Sequence, residues 1–159
     1  MNTDMKRRSM LKGTLAASVV GIAAGAGLLT PRQVLAAWPK AAFEAKGVDA
    51  AMQALTGSGS LTASKAIDIK APPIAENGAV VGVTVSTGLK NVESISILVE
   101  KNPSPLTSSW NLAANTEPFV GTRIKVSKTS SVIAVCKTAD GKLYSAGREV
   151  KVTIGGCGG

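Results

Sequence analysis

The chain has 159 residues, 18 of them basic and 10 acidic, with 45% hydrophobic residues, 3% aromatics and no histidine. Without histidine, a Ser-His-Asp or Cys-His nucleophile, a histidine-based zinc site and the C-x-x-C-H attachment of c-type haem are all excluded within this chain. The excess of positive charge is spread without a basic helix or interleaved aromatics, so it is not a nucleic-acid footprint.

The first segment reads as an address. Lys6 to Lys12, "KRRSMLK", sets an arginine pair ahead of the weakly apolar run "LAASVVGIAAGAGLL", and "QVLAA" ends in small residues suited to cleavage between Ala36 and Ala37. This is the pattern of a twin-arginine export signal over residues 1–36, and it predicts a periplasmic protein that crosses its membrane folded. A permanent transmembrane helix is the weaker reading, because the run is diluted by Ala and Gly and stopped by Pro31 and Arg32. Removing the signal leaves 123 residues with 13 basic and 9 acidic side chains, a net charge of +4 and enough chain for one domain with one core.

Trp38 to Leu55 predicts a short helical arm. Pro39 suits a first turn, Gly47 interrupts it, and Val48, Ala51, Met52 and Leu55 recur at helical spacing. The stripe around Trp38 and Phe43 must be buried somewhere, either on a partner or on the chain's own sandwich. "TGSGS", Thr56 to Ser60, is a flexible link, so that residues 37–60 form an arm and linker.

Beyond it the period changes to two. "AIDIKA" alternates around Ile67 and Ile69, and β-rich runs follow at Ala79 to Ser86, Val92 to Glu100, Thr122 to Lys128, Ser131 to Lys137 and Leu143 to Ile154. "ENG", "NPSP", "KTSS" and "ADGK" between them are turn chemistry, and "TADGK" is the strongest hairpin signal. Short strands at close spacing without helices between them predict a mainly β fold, an immunoglobulin-like antiparallel β-sandwich over residues 61–154.

Residues 155–159 are Gly-Gly-Cys-Gly-Gly. Glycine loses more conformational freedom on ordering than any other residue, so this run is unsuited to packing and displays Cys157 on a thin arm formed by Gly155, Gly156, Gly158 and Gly159. From Ile154 the sulfur can reach ~10 Å, enough to enter a channel in another protein. No cation lies beside Cys157 in sequence and the Gly159 carboxylate is two residues off, so the free thiol should be sluggish and activated by the site it enters. The other cysteine, Cys136, lies in "VIAVCK". Alternation places it with Val132 and Ala134 on one strand face and Ile133 with Val135 on the other, which predicts a buried structural thiol. Glu44 and Asp49, the acid pair that could be drawn for catalysis, read as a solvated helix face.

Three readings of the tail stand at this point. It is a covalent carrier of cargo on Cys157, a ubiquitin-like carrier activated at Gly158-Gly159, or a binding and assembly module whose tail cysteine makes a covalent dimer. ATP-dependent activation at Gly159 fits poorly with an export signal.

The ending "VKVTIGGCGG", the twin-arginine leader, "IAENGAVVGVTV" and "TRIKVSKTSSVIAVCKTADGK" closely resemble SoxY, the sulfur-carrying family of the thiosulfate-oxidising Sox system. That resemblance implies an immunoglobulin-like domain in a heterodimer with a SoxZ-like subunit, with Cys157 as the attachment point for sulfur. It also implies docking to a SoxAX-like cytochrome that joins thiosulfate to the thiol, a SoxB-like enzyme that removes sulfate, and a SoxCD-like enzyme that oxidises the remaining sulfur. The chain itself would catalyse none of these steps, would need no cofactor or metal, and would bind neither nucleic acid nor membrane. Cys136 departs from the family pattern and raises the hazard of a wrong disulfide with Cys157.

Overall fold

The computed structural model describes residues 39–57 and 60–154, the last of these by its backbone only. The predicted signal, Trp38 and the GGCGG tail lie outside the described residues. Among the described residues two short helices come first, α1 (Lys40–Glu44) and α2 (Val48–Thr56). The interruption falls at Gly47, whose φ of 107° lies in the left-handed region that favours glycine, and Gly57 closes α2 by donating to the Gln53 carbonyl at 2.9 Å.

Nine strands follow: β1 (Thr62–Ala63), β2 (Ile67–Lys70), β3 (Ile74–Asn77), β4 (Val81–Thr87), β5 (Val92–Val99), β6 (Leu106–Asn111), β7 (Phe119–Ile124), β8 (Ser130–Thr138) and β9 (Leu143–Ile154). They form two sheets facing one another. The larger has the order β1-β9-β8-β5-β6 with β3 also paired to β9, and the smaller is β2-β4-β7. The fold is the immunoglobulin-like β-sandwich that the period-two runs predict.

The alternation in those runs becomes the core. Ile67, Ile69, Val83, Val85, Ile95, Ile97, Val132 and Val150 point inward from both sheets and are buried. β8 is apolar on both faces for a reason visible one layer out. Val135 on its outer face joins Leu98, Leu106 and Leu143 under Ala42, Ala51 and Met52 of the helices. The helical stripe left open by the sequence is therefore buried on the chain's own larger sheet, and Phe43 packs at its margin.

Several expectations need correction. β1, β3 and β6 were not anticipated. β1 and β3 are parallel partners of β9, a pairing that no local pattern encodes, and β6 ("LTSSWN") carries Ser108 where alternation with Leu106 and Trp110 would want an apolar residue. The run Thr122 to Lys128 is half strand: β7 starts earlier at Phe119 and stops at Ile124, and buried Val126 belongs to a connection whose amide donates to the Gly78 carbonyl at 2.7 Å. The β8–β9 hairpin forms as "TADGK" predicts. Gly141 takes φ 80° and donates to the Thr138 carbonyl at 2.8 Å, while Asp140 accepts from the Thr138 hydroxyl and pairs with Lys142 at 2.7 Å.

Candidate functional site

β9 leads to the predicted carrier segment. Its first eight residues are laddered to β8, with the register running from Leu143 opposite Lys137 to Val150 opposite Ser130. Lys151–Ile154 extend past the start of β8. On the opposite flank β3 runs parallel to them, Ile74 beside Lys151, Ala75 beside Val152 and Asn77 beside Ile154. The Lys151 amide donates to the Pro73 carbonyl at 3.0 Å and the Thr153 hydroxyl to the Glu76 carbonyl at 3.1 Å. The Val152 amide, pointing the other way, donates to the Thr129 hydroxyl at 3.0 Å. The chain is thus held in register to Ile154, the residue before the first glycine of the tail. Gly155, Gly156, Cys157, Gly158 and Gly159 lie outside the described residues.

Cys136 is fully buried beside Ile95 and Tyr144, in the same core layer as Val132 and Ala134, as alternation predicts. Burial disfavours its thiolate and pushes its pKa up to about 11. The register sets Cys136 opposite Tyr144, ten positions before Ile154, so the two levels on β9 are ~33 Å apart at the usual strand rise.

The remaining candidates are quickly placed. Glu44 is paired with Lys40 at 3.7 Å on an exposed helix face, and Asp49 lies in the first turn of α2. Among the described residues no three Cys, Asp or Glu side chains come together as a metal-binding group, and no helix is long and apolar enough to cross a membrane. A groove of about 630 Å³, lined in part by Leu89, Asn91, Val92, Leu112 and Pro118, lies at the end of the sandwich where β9 begins, opposite the end at Ile154. Sequence reasoning missed both this groove and the pinning of β9. The one signal for the latter is Pro72-Pro73 ahead of "IAEN", an extended stretch with nowhere local to pair.

The two-sheet sandwich, whose last described strand runs four residues past β8 and stays paired to β3 as far as Ile154, defines an immunoglobulin-like β protein. The comparisons with known proteins say of which family. The family model for "Sulfur oxidation protein SoxY" matches residues 52–157, and the chain belongs to the SoxY family. Among solved structures it is similar to the sulfur carrier protein SoxY from Chlorobium limicola f thiosulfatophilum, at 45% identity and a TM-score of 0.59, covering 67% of this chain and 96% of that one. A protein described as a superoxide reductase from Thermotoga maritima shares the fold at 16% identity and a TM-score of 0.51, over 58% of this chain and 93% of its own. No curated protein matches the chain.

Proposed function

We propose that this sulfur carrier of the SoxY family holds its cargo on Cys157 and presents it on the GGCGG arm to partner enzymes of thiosulfate oxidation. The observation that carries the reading is that the SoxY match runs to residue 157, directly beyond a strand that is pinned to its last residue. A fixed root and a glycine-flanked thiol together give reach without bulk.

A cytochrome-type conjugating enzyme of the SoxAX kind joins the Cys157 sulfur to the outer sulfur of thiosulfate, a two-electron oxidation that releases the thiol proton and passes the electrons to the cytochrome. Water then cleaves the bond between that sulfur and the sulfonate at a SoxB-like site, releasing sulfate and leaving a persulfide on Cys157. A SoxCD-like enzyme would oxidise the persulfide sulfur further. The chain catalyses none of these steps; it holds the intermediate while partners act. Because a flexible arm must be ordered at each docking, its affinity is modest and its release easy, which suits a carrier that visits several enzymes.

The same reading places residues 1–36 as a twin-arginine signal, 37–60 as the helical arm and linker, 61–154 as the sandwich and 155–159 as the carrier arm. It also places the mature protein in the periplasm as a heterodimer with a SoxZ-like subunit. The test is intact-mass and peptide mass spectrometry of the mature protein after thiosulfate exposure with the conjugating enzyme. Sulfur adducts confined to Cys157 support the carrier. Modification at the Gly159 carboxylate, or disulfide-linked dimer with no adduct, would overturn it in favour of the other two readings of the tail.

A further inference from the structure

Strand ends that outrun their ladder fray, because their amides have no partner but water. β9 outruns β8 by four residues, Lys151–Ile154. Neighbouring amides of a strand point to opposite flanks, and here each flank is supplied differently. Lys151 is served by the β3 side through the Pro73 carbonyl. Val152 faces the side that β8 has vacated, and there the Thr129 hydroxyl accepts its N–H at 3.0 Å, a side chain standing where a strand would be. The connection that carries Thr129 is itself fastened. Val126 donates to the Gly78 carbonyl, Ser127 donates to Asn102 Oδ1 at 2.9 Å, and Asn102 Nδ2 donates to the Lys125 carbonyl at 2.8 Å.

We propose that Thr129 is a positioning residue for the carrier arm: by holding the Val152 amide on the flank opposite β3 it completes the fastening of Val152–Ile154, and so sets the root from which the arm starts. The inference rests on the carrier reading of Cys157 and deepens it. Every further residue that must be ordered when the arm docks weakens entry, and a root that frays back to Val152 adds three such residues and ~10 Å of uncontrolled reach.

The experiment compares Thr129→Val, which keeps the shape and removes the acceptor, with Thr129→Ser, which restores it, in the full mature chain with its partner subunit. Hydrogen exchange at the Val152–Ile154 amides should rise roughly fivefold in Thr129→Val, as expected for loss of one neutral hydrogen bond. It should stay near wild type in Thr129→Ser. Loading of Cys157 with thiosulfate by the conjugating enzyme should show a KM raised by a similar factor with kcat unchanged, while alkylation of Cys157 by iodoacetamide keeps its rate.

The decisive arm uses a chain lacking Gly155 and Gly156, whose reach is shortened by ~7 Å. There Thr129→Val should partly restore loading, because the freed residues lengthen the arm; a residue that only stabilised the fold would lower loading in both backgrounds. Unchanged exchange at Val152, or a further loss of loading in the shortened chain, overturns the proposal. If even the wild-type chain is not loaded on Cys157, the carrier reading has failed, and the exchange result alone sustains or overturns the clamp. Thr129→Ala replaces valine should valine disturb the connection.

Discussion

The two ends of β9 are secured by different means. At Leu143 the strand is entered through a local hairpin, in which Gly141, Asp140, Thr138 and Lys142 satisfy one another within five residues. At Ile154 it is held by β3, some eighty positions earlier in the chain, and by the side chain of Thr129. The entry end fixes the fold, with Cys136 buried beside Tyr144. The exit end fixes where the chain leaves the fold, with Cys157 beyond it. Cys136 on β8 is sealed in beside the entry end of β9, and the proposed carrier cysteine follows its exit end in sequence.

The largest expected effect lies beyond the exit end. Cys157→Ser should leave the melting transition unchanged and abolish thiosulfate loading; retained loading would mean that the two ends do not differ in function as proposed. Nearly as large, Gly156→Trp should block loading by partner enzymes while the thiol still reacts with a small alkylating reagent, because the indole widens the arm and no longer permits positive φ. Normal turnover of that variant would remove the channel from the account.

At the entry end the effects are on stability. Cys136→Ala should cost about 1 kcal/mol through lost packing and leave loading intact, as measured by urea denaturation. The thiol's pKa is raised from 9.0 to about 11 by burial, so its neutral form favours the folded state below pH 9 and that advantage is lost as the pH rises toward 11. The stability gap between wild type and Cys136→Ala should therefore narrow across that interval. In the native state Cys136 should resist alkylation under conditions that modify Cys157 fully.

The smallest effect belongs to the hairpin. The Lys142 ammonium and the Thr138 hydroxyl, both hydrogen-bonded to Asp140, hold its carboxyl down at about 2, against an ordinary value of 3.8. Its contribution is present above the ordinary value and is lost as the pH falls through about 2. Asp140→Asn should melt slightly below wild type at neutral pH and coincide with it near pH 2. A constant difference across that range would show that the ion pair does not act through charge.

This contrast also separates what could be read in the sequence from what could not. The entry hairpin was legible in "TADGK", because turn chemistry is local. The inward and outward faces of β8 were legible in "SVIAVCK", because a strand's period is two, and Cys136 was correctly placed in the core. Cys157 stood out because glycine on both sides of a thiol serves no packing purpose. The clamp was not legible. β3 gains its identity from a parallel neighbour far away in sequence, and Thr129 looked like part of a turn in "KTSS" because nothing local says that its hydroxyl stands in for a strand. Whether the helical stripe would cover a partner or the chain's own sheet was equally undecidable until Leu98, Leu106, Val135 and Leu143 were seen to share one outer face.

β9 has one more consequence, for the order in which the protein is built. Among the described residues it is the only partner of β1 and β3, it is the hairpin mate of β8, and its Leu143 completes the layer under the helices. A nascent chain that has reached only residue 142 therefore has two strands with no neighbour and an unfinished outer layer. Such long-range pairings slow folding, since distant segments must be brought together before any contact rewards them. The domain should acquire its native sheet only once Leu143–Ile154 has been made, in a step governed by the arrival of β9.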